Sequence, residues 1–280
     1  MLSTFVCAVL GLIYLGSSAA FNAFTGGKID GFSSSDEIYP NNLIAYFPFN
    51  DNTNESKSGS VPTGAPNVTL VDGYMGKAAN FNAGYLYFGK QFDAFKTDAL
   101  KSFTISQWIQ ISNNGSKKTQ LFQLSRPGNI NGNIDIILET NLLPATDINN
   151  LSVRTYFYTL SGGRQDNVNQ SYNKSPKIGP SNWVHLLLTY NGLTGKFNIW
   201  ANGVNIGSYS DRGIGNNVFN SFEPNELIIG GNYNLIPGKT VNTDVSFAPM
   251  TGKIDELRVY NIFFPDIIVQ AMYKLGVAKK

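Results

Sequence analysis

Three groups of residues could carry chemistry in this chain. The first is the carboxylate pair Asp135 and Glu139, in the run Asn133-Ile134-Asp135-Ile136-Ile137-Leu138-Glu139. A strand sends residues i, i+2 and i+4 to one side, so the two carboxylates share a face. Such pairs serve glycoside hydrolysis, one as acid and one as base or nucleophile. The second is His185, the sole histidine. A triad or a histidine metal centre would have to be built around it alone. No Gly-x-Ser-x-Gly turn accompanies it, and a core or edge role in the strand 183–190 is expected rather than catalysis. The third group is Trp108, Trp183 and Trp200. An aromatic face stacks on the apolar side of a pyranose while neighbouring amides and carboxylates bond its hydroxyls. Trp108 shares the parity of Thr104, Ser106 and Gln110, and Trp200 that of Lys196, Asn198 and Asn202. Parity lets both face water as sugar platforms; the alternative is that each lies under a covering loop. Trp183 is expected in the core.

Long Asn-rich loops over 113–118, 162–174 and 211–220 supply further candidates, because binding residues concentrate on loops. Arg164, Asp166, Tyr172, Asp211 and Arg212 are the candidate ligand contacts there; the alternative for each is a solvated turn.

The elements that must position these residues are short and β-rich. Alternation and turn residues predict strands over 43–49, 103–111, 119–124, 134–139, 152–159, 183–190, 196–201, 227–229 and 253–260. A strand pair is expected over 80–88. Asn202-Gly203 predicts a hairpin turn. One short helix is expected over 265–275, with Pro265 at its start and Gly276 at its end. Many short strands joined by turns predict an all-β, two-sheet antiparallel jelly-roll sandwich.

The bulk composition is compatible with that. The chain has 280 residues, enough for one large sandwich domain. Its net charge of +2 gives no footprint for nucleic acid. The single cysteine, Cys7, excludes an internal disulfide.

Residues 1–24 carry no charge and form a hydrophobic leader, with an apolar run at 5–15 and small residues at Ser17-Ser18-Ala19-Ala20. That pattern predicts a cleaved export signal and a secreted or cell-surface protein. The alternative is a retained helix of about 36 Å. It would span a bilayer, or bundle with copies of itself as a pilin-like filament subunit and homo-oligomer. N-terminal sequencing of native material separates the two. Residues 25–41 read as a polar linker, and 42–280 as the domain. Sequons at Asn54, Asn67, Asn114, Asn150, Asn169 and Asn173 permit glycosylation on a secretory route.

Several segments, in order, carry a family resemblance. They are 43–50 (LIAYFPFN), 76–81 (GKAANF), 103–108 (FTISQW), 183–185 (WVH), 199–203 (IWANG) and 252–260 (GKIDELRVY). Over roughly 42–273 the chain resembles the laminin-G-like domains of the concanavalin A-like lectin and glucanase superfamily. The resemblance implies a sandwich that binds glycan or an extracellular protein, with catalysis in only some branches. It also implies one structural Ca2+ on the outer sheet, with Asp255 as ligand together with oxygens of Asn50 or Asp51 and of Asn82 or Gly84; such a metal takes hard oxygen donors. The alternative for Asp255 is a turn cap, with Glu256 paired to Arg258. The run 133–139 resembles the Glu-x-Asp-x-Glu strand of laminarinase-type glucanases, but Asn133 replaces the first carboxylate and Glu139 lies too far from Asp135. A non-catalytic binding module is the expectation.

Overall fold

The computed structural model describes residues 27–112, 117–139, 150–160, 163–168, 174–209 and 218–280. The leader 1–24, Tyr172, Asp211, Arg212 and the sequons Asn114, Asn169 and Asn173 lie outside the described residues.

Alternating sequence becomes two face-to-face sheets. In Phe103–Ile111 (β5), Phe103, Ile105, Ile109 and Ile111 enter the central core, while Thr104, Ser106 and Trp108 point the other way. The first sheet runs Val204–Tyr209 (β12), Phe197–Ala201 (β11), Val184–Tyr190 (β10), β5, Met250–Tyr260 (β15), Lys77–Gly84 (β3), Val68–Asp72 (β2), with Leu43–Phe47 (β1) also paired to β15. The second runs Leu86–Phe88 (β4), Leu227–Ile229 (β13), Lys118–Leu124 (β6), Ile134–Leu138 (β7), Val153–Thr159 (β8), Gly163–Val168 (β9), with Phe247–Ala248 (β14) joined in parallel to β6. The remaining pairings are antiparallel. Between the sheets lies one apolar layer, rich in Phe and Ile, from Ala45 to Val259. The expected sandwich is the observed one.

Local signals explain the joints. Asn202 and Gly203 both take positive φ, 50° and 74°, as a tight two-residue hairpin requires. The turn joins β11 to β12. A helix, Asp266–Val277 (α1), lies on the outer face of the first sheet with Val269, Ala271, Met272 and Leu275 inward against Leu187, Trp200 and Tyr260. Gly276 permits the close approach, because a Cβ there would stand 2.7 Å from the Trp108 ring.

Two expectations about the chain's layout are corrected. The stretch read as a polar linker is docked: Ile38 is buried, and Ile29 and Phe32 pack on the cluster under α1. Its apolar residues are too widely spaced to show as a strand or helix face. Residues 163–168, read as loop, form edge strand β9, so Arg164 and Asp166 sit opposite Tyr158 and Tyr156 in a ladder. The polar composition hid that strand, which needs no apolar partner on its outer side.

A candidate ligand-binding cleft

The tryptophan platforms are the first correction at the level of sites. Trp108 and Trp200 do point away from the core, as their parity requires, but they are 5% and 3% exposed. Trp108 lies in an aromatic stack, 3.6 Å from the Tyr74 ring centroid, 4.9 Å from His185 and 6.0 Å from Tyr273. Trp200 donates its Nε1–H to Thr189 Oγ1 at 3.1 Å beneath α1. Neither offers a free face to a sugar. Trp183, expected in the core, is the half-buried one.

His185 closes the same stack. Its Nε2 is 2.8 Å from Ser106 Oγ, and its buried Nδ1 has no hydrogen-bond partner. Burial, reinforced by the Arg258 charge, pushes its pKa down to about 3. It is a neutral core imidazole beside a serine, without the carboxylate that would orient a catalytic base.

The carboxylate pair is enclosed. Asp135 Oδ1 accepts from Gln120 Nε2 at 2.6 Å and Gln123 Nε2 at 2.8 Å; its Oδ2 accepts from Gly132 N at 2.7 Å. Glu139 is buried 3.7 Å from Arg154. Four residues of strand hold the two carboxylates roughly 13 Å apart along β7 and its continuation. Glycosidase pairs stand about 5–9.5 Å apart.

The four nominated metal ligands are not brought together. Asn82 stands opposite Thr251 and Gly84 opposite Met250, four and five residues up β15 from Asp255. Asp51 is exposed on a turn, and Asn50 Oδ1 accepts instead from Lys77 N at 3.0 Å. Asp255 is buried: Oδ2 accepts from Met75 N at 2.8 Å, and Oδ1 has no hydrogen-bond partner. The Lys279 ammonium, seated over the Tyr74 ring, supplies positive charge near it. One orphaned oxygen fits a cation, but the donor set does not, and among the described residues no group of three His, Cys, Asp or Glu gathers. Glu256 pairs with Arg258 at 2.7 Å, as the alternative reading expects. Addition of EDTA is accordingly expected to leave the thermal unfolding midpoint unchanged; a fall that Ca2+ reverses would show a metal held after all.

Of the sequons within the described residues, Asn67 is exposed, at positive φ of 56°, while Asn54 and Asn150 are half-buried.

A different place offers room for a ligand. At one end of the first sheet a cleft of about 630 Å³ opens over β3, β15 and β5. Its floor is a polar row set by register: Asn80 opposite Lys253, and Lys253 opposite Gln110. Asn82, Thr251 and Ser112 extend that row. Apolar wall comes from Ala83, Pro180, Ala248 and Pro249. Two backbone links build it. Gly179 N donates to Ile111 O at 2.8 Å and carries Pro180 to the end of β5. The parallel pairing of Phe247 and Ala248 with Lys118 and Thr119 swings the β14 segment over the mouth. Lys253 Nζ lies 6.0 Å from the Trp183 ring. Sequence reasoning missed these residues because they belong to three distant segments; only strand register collects them. The polar-face parity of Asn80 and Lys253 was the available signal.

The comparisons agree with a two-sheet lectin-like body. The family described as the concanavalin A-like lectin/glucanases superfamily, laminin-G type, matches residues 82–265. The chain belongs to that superfamily. Among solved structures, domain 4 of AbnA, an extracellular GH43 arabinanase of Geobacillus stearothermophilus determined with arabinotriose, is similar at 19% identity and TM-score 0.53, covering 82% of this chain and 97% of that one. The botulinum neurotoxin serotype C1 binding domain is similar at 14% identity and TM-score 0.57, over 84% and 52% of the two chains. The serotype G binding domain gives 13% identity and TM-score 0.56, over 83% and 51%. This chain spans about half the length of those toxin domains. No curated protein matches. At these identities the likeness is one of fold. Among the described residues no helix is long and apolar enough to cross a membrane.

Proposed function

We propose that the protein is an extracellular, non-catalytic binding module that holds a glycan in the cleft over β3, β15 and β5. One observation carries the reading: a 630 Å³ cleft combines side-chain amides and hydroxyls with a proline-lined wall. Amides exchange hydrogen bonds with sugar hydroxyls, and apolar wall covers C–H faces. The enclosure of Asp135 and Glu139, too far apart for a hydrolytic pair, favours binding over cleavage. The extracellular setting of the AbnA domain and its arabinotriose are consistent with such a role.

A glycan-array screen of the folded protein, followed by calorimetry on the strongest ligand, tests this. The Asn80→Ala/Gln110→Ala double variant should bind roughly tenfold more weakly or worse, as expected for two lost hydrogen bonds. Its unfolding midpoint should stay close to wild type, because both residues are half-exposed. Undiminished affinity in the double variant would move the site elsewhere.

A further inference from the structure

We propose that the cleft selects glycans bearing an anionic group, a carboxylate or a sulfate, through the Lys253 ammonium. This rests on the glycan reading of the cleft and deepens it to a ligand class. Among the described residues, Lys253 is the one charged residue lining the cleft, whose other polar groups are amides and hydroxyls. Strand pairing fixes its backbone between Asn80 and Gln110, so its side chain rises from the middle of the floor rather than from a rim. It is half-buried, unlike an ordinary surface lysine. No carboxylate among the described residues comes within ion-pair distance of it. The adjoining segment 113–116, Asn-Asn-Gly-Ser, brings no charge by its sequence.

The Trp183 ring lies 6.0 Å from the ammonium. That contact steers the ammonium without neutralising it. A cleft cation without an ion-pair partner among the described residues gains from a ligand that supplies an anion.

A second groove shows what a balanced site looks like. It has the same volume, about 630 Å³, and lies over β11 and β12 beside the start of α1. It also carries amides, Asn198 and Asn205, and an apolar wall at Phe263 and Ile267. There Lys196 is accompanied by Asp266, so the charge is offset. The two grooves differ in charge, not in size or amide content.

The test uses charge-matched pairs: oligogalacturonates and their methyl esters, sialyllactose and lactose, and sulfated and desulfated chondroitin oligosaccharides. Affinities are measured by calorimetry on wild type, Lys253→Gln, Lys253→Arg and Asn198→Ala. Wild type should prefer the charged member of at least one pair. Lys253→Gln should lose roughly ten- to hundredfold for that member and little for its neutral partner, the range expected of one charge-assisted hydrogen bond. Lys253→Arg should keep the preference, and Asn198→Ala in the other groove should change nothing. Added salt should erode the preference in wild type, Lys253→Arg and Asn198→Ala alike. The carboxylated and sulfated arms show which anion is read. Equal binding of charged and neutral members, or a Lys253→Gln variant that keeps the preference, overturns the inference while the glycan reading stands. A protein that binds no glycan of the array and no member of any pair overturns both.

Discussion

Truncation of Trp108 to alanine is expected to cost about 3–5 kcal/mol, the range for removing a large buried aromatic. The ring has no exposed face to lose: Tyr74 stacks on it at 3.6 Å with planes 13° apart, and His185 and Tyr273 flank it. Gly276 of α1 closes against its edge. The cavity would therefore open at the joint between the first sheet and α1. Beyond the lost stability, the C-terminal helix should become sensitive to limited proteolysis. Trp108→Phe, which keeps a ring beside Tyr74, should cost clearly less. Urea unfolding of the three proteins measures this. A loss below about 1 kcal/mol for the alanine variant would mean that the ring is a surface group after all.

The second large effect is expected at Asp135, on the other sheet. Asp135→Ala would orphan one proton on each of Gln120 and Gln123 and the Gly132 N–H, all buried. Unpaired buried donors cost about 1–3 kcal/mol each, so a total of about 3–5 kcal/mol is expected after partial relaxation. The pH dependence is more discriminating. Burial raises the Asp135 pKa from the usual carboxylate value to about 7, against the opposing pull of its three hydrogen bonds. A pKa raised by folding means that the native state holds its proton longer than the unfolded chain. The stability tied to that proton is fully present below about pH 4 and is lost as pH rises through about 7. Asp135→Asn removes the titration, so this variant should gain stability relative to wild type between pH 4 and 7. A relative loss over that window would show that the three hydrogen bonds prevail and that the carboxylate is charged in the fold.

Much of the fold was legible because alternation and turn residues are local. The span of β5, Phe103–Ile111, follows directly from period-two patterning, and the Asn202-Gly203 hairpin from turn chemistry. The sites were less legible, and Trp108 shows why. Parity correctly put it on the outer side of its strand, yet burial depends on what covers that side. The cover is a helix from residues 266–277, joined to β5 only through tertiary packing. Asp255 fails in the same way: its neighbours in space are Met75 and Lys279, neither of them recoverable from strand spacing. The cleft residues were available as polar positions on strands, but the register that aligns Asn80, Lys253 and Gln110 spans 80 to 253 in sequence. Strand β9 escaped because Gly163–Val168 contains a single apolar side chain, Val168.

Crystals of the protein soaked with the highest-ranking oligosaccharide of the array would show directly where a ligand sits. Sugar density is expected against Asn80, Gln110 and Lys253, with the glycosidic linkages intact. Sugar lying across Asp135 and Glu139 on the opposite sheet, or cleaved there, would contradict the proposed site.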